Sequence, residues 1–142
     1  MLIVAPTDTI SEYELEKLDA FLQKGGRLFI AVKRVGADLN QGAYTSAINT
    51  GLETWLYKKG IAVNNNLVID NNCLQIGVQV QQGFFMPVSF PYFLKVNNFS
   101  EHPASTGLEE VYFQFASTID YSGDSSLKFT PIVYSSDASG TL

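Results

Sequence analysis

The opening of this chain, residues 1–32, constrains its fold more than any other stretch. Leu2-Ile3-Val4-Ala5 is a short apolar run, and Pro6-Thr7-Asp8-Thr9 turns the chain. Ser11 and Glu14 stand at the spacing of a capping box, each side chain satisfying a backbone N–H of the first helical turn. Leu15, Leu18, Phe21 and Leu22 follow at helical spacing, with Glu12, Glu16, Asp19 and Lys24 assigned to the opposite face. Gly25-Gly26 ends the helix, and Leu28-Phe29-Ile30-Ala31-Val32 is a second apolar run. Strand, helix and strand have the length that a parallel crossover needs. Neither run alternates, which predicts strands covered on both faces. A parallel sheet usually has more members, so the chain reads as a fragment of a larger α/β domain. Its open sheet edge would then pair with a second copy.

After this unit, residues 33–49 dissolve into Gly, Asn, Ala and Ser and read as a loop. Leu52, Trp55 and Leu56 return at helical spacing, closed by Lys58-Lys59-Gly60. Ile61-Ala62-Val63 and Leu67-Val68-Ile69-Asp70 read as two short strands around an Asn64-Asn65-Asn66 turn. From residue 71 the character becomes β-rich. Cys73 to Gln81 alternates apolar residues with glutamines, as a half-buried strand does. Residues 84–93 are aromatic and carry Pro87 and Pro91, which predicts an edge strand or an ordered loop. Residues 111–116 and 129–134 read as late strands joined through 122–126, and the tail from Ser135 as a fraying end. The expectation is one domain over 1–142, with a strand–helix alternating part (2–70) and a β-rich part (71–142).

Composition narrows the function. Hydrophobic residues make up 46% against 16% charged, which suits a packed core. A net charge of −5 gives no footprint for nucleic acid. One cysteine and one histidine rule out an internal disulfide, a cysteine zinc cluster and a histidine-rich metal site. No apolar run is long enough to span a membrane. No glycine-rich phosphate fingerprint is present, because Gly25-Gly26 closes a helix instead of opening one, and no cofactor is expected.

Three sets of residues could carry function. Cys73 with His102 is the only conceivable thiol nucleophile and base, but Cys73 lacks the framing of a strained nucleophile turn, and His102 before Pro103 reads as a turn residue. Asp8, Asp70, Asp120 and Asp124 fall at strand ends or in loops; Asp8 and Asp70 are the candidates for a strand-end ligand site, for a sugar or peptide. The aromatic residues Phe84, Phe85, Phe90, Tyr92 and Phe93 are the best interaction candidates if exposed; burial as core or edge cover is the preferred reading.

The order of segments also resembles a known family. The strand with Ser11-x-x-Glu14 and Gly25-Gly26, then Asn66-Leu67-Val68-Ile69-Asp70, Asn97-Asn98-Phe99-Ser100-Glu101-His102-Pro103, Phe115-Ala116-Ser117-Thr118-Ile119-Asp120 and Thr130-Pro131-Ile132-Val133-Tyr134, is similar to the pattern of GldG-type auxiliary components of gliding-motility-associated ABC transporters. The resemblance implies a partial Rossmann-like or flavodoxin-like α/β sheet, akin to class I glutamine amidotransferase-like and intraflagellar-transport-like domains, with an added β-rich half. It further implies a non-catalytic periplasmic domain whose parent is anchored in the inner membrane by segments outside this chain, and whose partners are the permease and ATPase subunits.

Overall fold

A computed structural model describes residues 1–38, 44–123 and 126–142. They form two compact units: residues 1–65 with 117–128, and residues 66–116 with 129–142.

The first unit is built on the crossover. Strand β1 (Leu2–Val4) pairs in parallel with β2 (Phe29–Ala31), joined by helix α1 (Glu12–Gln23). The capping box forms: Ser11 N–H donates to Glu14 Oε2 at 2.8 Å, and Glu14 N–H donates to Ser11 Oγ at 3.3 Å. At the other end Gly25 takes the left-handed conformation (φ +82°). Gly25 N–H then reaches Leu22 O at 2.9 Å and Gly26 N–H reaches Phe21 O at 3.0 Å, which satisfies two carbonyls of the last turn. A side chain at Gly26 would overlap the Phe21 ring. The strands are not covered on both faces. Ile3 and Ile30 pack inward, while Leu2, Val4 and Phe29 are exposed. With helices on one side only, the sheet needs apolar residues at alternate positions only, and the outward ones are surplus to that packing.

Residues 33–49, expected as a loop, contain a hairpin: β3 (Val35–Asp38) pairs antiparallel with β4 (Tyr44–Ala47), and 39–43 between them lie outside the described residues. Its strands are short and poor in large apolar residues, so periodicity did not betray them. Helix α2 (Leu52–Tyr57) follows. Leu18 from α1 and Leu52, Trp55 and Leu56 from α2 form the buried core, with Leu52 fully inaccessible. Arg34 ties the hairpin to α2, donating to Ile48 O at 3.1 Å and pairing with Glu53 at 3.2 Å. β5 (Ile61–Val63) leaves α2 through Gly60 (φ +84°), where a Cβ would come 2.8 Å from the Gly123 backbone. Its partner is β11 (Ile119–Tyr121), antiparallel.

The second unit holds the remaining strands: β6 (Val68–Asp70), β7 (Cys73–Gln81), β8 (Phe84–Val96), β9 (Asn98–Phe99), β10 (Val111–Gln114), β12 (Val133–Tyr134) and β13 (Ser139–Thr141). β5 and β6 form on either side of the asparagine turn as expected, and they take separate partners: β6 pairs with β13. The tail therefore does not fray. Ser139–Thr141 is held by β6, and Leu142 and Leu67 exchange both backbone hydrogen bonds at 2.9 and 3.0 Å. A three-stranded antiparallel sheet runs in the order β10-β8-β7, and Leu94 and Val96 of β8 pack with Val68 of β6 as the buried core of the unit.

Candidate functional site

The dominant feature of the second unit is the β7–β8 hairpin. β10 covers only Phe93 to Val96 of β8, so the rest of the hairpin stands as a two-stranded arm turning at Gly83 (φ +84°). This accommodates both prolines: Pro87 lies where the second edge of β8 is open, and Pro91 lies in the irregular stretch between Phe90 and Leu94. Leu74, Ile76 and Val78 stand opposite Phe90, Val88 and Met86, so one face of the arm is wholly apolar. The other face sets Gln75, Gly77 and Gln79 opposite Ser89, Pro87 and Phe85. No Asp, Glu, Lys or Arg occurs between Asp70 and Lys95.

The aromatic candidates divide along this arm. Phe84 and Phe85 are 69% and 66% exposed at its tip, beside exposed Met86, which corrects the preference for burial there. Phe90, Tyr92 and Phe93 are half-buried around Phe115, with the Phe93 and Phe115 ring centroids 5.4 Å apart and edge-on. Edge-to-face rings of this kind each add about 0.5–1.5 kcal/mol beyond area burial. Phe115 holds a positive φ of 53°, unusual for an aromatic residue, while its N–H donates to Tyr92 O at 3.0 Å.

The remaining candidates have local roles. Asp70 is 3% exposed. Its Oδ1 accepts from Ser136 Oγ at 2.6 Å and Asn72 N–H at 2.8 Å, and its Oδ2 accepts from Ser136 N–H at 2.8 Å. Burial pushes this carboxyl up, but the bonds from Ser136 and Asn72 outweigh it and hold it below the usual value. Asp70 is thus a clamp between β6 and the segment before β13. Asp8 is exposed, Asp120 accepts from Asn64 Nδ2 at 2.6 Å, and Asp124 lies outside the described residues.

His102 Nδ1 accepts from Ala104 N–H at 3.1 Å, and its carbonyl accepts from Ser105 N–H at 3.0 Å, so it organises its own turn. A shallow dent there is lined by Ser100, Glu101, His102, Pro103, Ser105 and Thr106, without Cys73, which lies in β7 opposite Leu94. Among the described residues no group of three or more His, Cys, Asp or Glu could hold a metal ion.

Val78 and Val80, expected on the covered side of a half-buried strand, are exposed because nothing described packs on the outer part of the arm, and sequence reasoning missed Met86 and Val88 beside them. The signal that could have found them is the long gap in charge.

The model of one protein family, described as an ABC-type uncharacterized transport system, matches residues 1–142. The chain belongs to that family. Family membership makes it an auxiliary component of an ABC-type transport system. No curated protein and no solved structure matches it. In this family member no described helix is long and apolar enough to cross a membrane.

Proposed function

We propose that this chain is a non-catalytic, extracytoplasmic domain of an ABC transport system of the gliding-motility type, and that it works by protein contact. The observation that carries the reading is the β7–β8 arm, whose exposed tip of Phe84, Phe85 and Met86 sits in a stretch without charge. Exposed apolar side chains on a projecting element fit a protein interface better than a folded core, since charged residues are depleted at interface centres and aromatics and Met enriched. The partner is the permease of the system. The parallel β1–α1–β2 crossover supports an α/β sheet of the amidotransferase-like kind, used as a scaffold without its chemistry.

The test is affinity purification of the full-length parent from its native membrane, with mass spectrometry of what accompanies it. The wild type should bring the permease and ATPase in stoichiometric amounts, and the double variant Phe84→Ser, Phe85→Ser should lose them while staying folded. Unchanged recovery with the double variant would remove the arm from the interface.

A further inference from the structure

We propose that the outer edge of β7 pairs antiparallel with β7 of a second copy, about a two-fold axis at Gly77. β7 is the last strand in the order β10-β8-β7, and no other described strand pairs with it. Its regular part, Leu74 to Gln79, lies between the two register irregularities of the hairpin. Natural sheets guard such edges with lysine, proline or a central bulge. This edge carries none of them.

The strand is also complementary to itself. A two-fold at Gly77 sets Ile76 opposite Val78 of the second copy and Gln75 opposite its Gln79. Apolar residues then meet apolar ones on one face, and amides meet amides on the other. The strand Cys73–Gln81 carries no Asp, Glu, Lys or Arg, so no like charges meet across the contact.

Gly77 itself points the same way. Its φ is not in the left-handed region, so no turn requires glycine. A Cβ there would meet only the Phe85 side chain, at an ordinary 3.7 Å. A glycine that its own fold does not need, in the middle of an exposed strand, fits close approach by another backbone. Pro87 opposite it has no N–H, so this pair cannot be the reciprocally bonded kind. The N–H and C=O of Gly77 therefore face the open edge.

The pairing is independent of the proposed partner at the arm's tip, and different residues test it. Sedimentation equilibrium of the chain across a concentration series should show a monomer–dimer equilibrium. Val78→Lys, at a half-exposed position that tolerates the charge, should abolish the dimer and melt at the temperature the wild type shows when diluted to monomer. The register is tested in a Cys73→Ser background by mixing Ile76→Cys with Val78→Cys. The mixture should form a disulfide-linked heterodimer under mild oxidation, and neither variant alone should cross-link, because residues 76 and 78 are opposite only each other. A wild type that stays monomeric, a dimer that survives Val78→Lys, or cross-linking of the single variants as readily as of the mixture would overturn the proposal.

Discussion

The indole Nε1 of Trp55 donates to Asp19 Oδ1 at 3.1 Å, fastening α2 to α1. Lys59 completes the contact, pairing with Asp19 and placing its Nζ 4.5 Å from the centre of the same indole ring. Asp19 therefore turns toward α2 and not away from it, because Trp55 of that helix and Lys59 just past its end both donate to it.

Trp55→Ala should lower the stability of the first unit by about 3–5 kcal/mol, from the lost burial and the cavity left behind. Trp55→Phe should cost much less, keeping most of the ring's contacts and leaving Asp19 paired with Lys59. Circular dichroism melts of both variants check this order, since the chain has no other tryptophan to report by fluorescence.

Removing the cap of α1 should have a graded effect. Ser11→Ala deletes the hydroxyl that receives Glu14 N–H, and the expected loss is about 1 kcal/mol in urea unfolding. Gly26→Ala should be worse tolerated than its small size suggests, because the added methyl overlaps the Phe21 ring.

Asp70 makes stability depend on pH in a defined direction. Its carboxyl is lowered in the folded chain, so its stabilisation is fully present above the ordinary aspartate value of 3.8 and is lost as pH falls through the folded value. Ser136→Ala removes the hydroxyl bonded to Oδ1 and should cost about 1.5–3 kcal/mol near neutral pH. It also brings the folded value closer to the unfolded one, so less stability should be lost on acidification and the loss should be complete at a higher pH. Thermal melts of wild type and variant from pH 7 to pH 2 test both statements.

Phe84 and Phe85 should be neutral to folding. Both are exposed at the arm's tip, so Phe84→Ser and Phe85→Ser should each shift stability by less than about 0.5 kcal/mol. Urea unfolding of the two variants measures it; a large loss would mean that the rings serve packing and not contact.

The crossover and both helices were legible because their signals are local: a cap, an apolar stripe and a glycine stop within one short stretch. The hairpin Val35–Asp38 with Tyr44–Ala47 was not, since its strands lack the large alternating residues that reveal a strand. The partners of β5 and β6 were hidden for another reason. Ile61–Val63 finds Ile119–Tyr121, and Val68–Asp70 finds Ser139–Thr141, and no local pattern encodes pairings so distant. Asp70 was marked from its place at a strand end, which is also where a structural clamp belongs; only the geometry around Ser136 separates the two roles. In the aromatic segment the residue types were evident but their exposure was not, because exposure depends on how far β10 extends along β8.

The clamp between Asp70 and Ser136 has a consequence for how the chain is made. The two residues are 66 positions apart, and β6 gains its strand partner only beyond Ser136. During translation β6 leaves the ribosome long before that partner exists, and its peptide groups must wait in solvent or in transient company. The second unit can close only once Thr141 has emerged, so nascent chains stalled before Ser136 should be open to proteases that the complete unit resists.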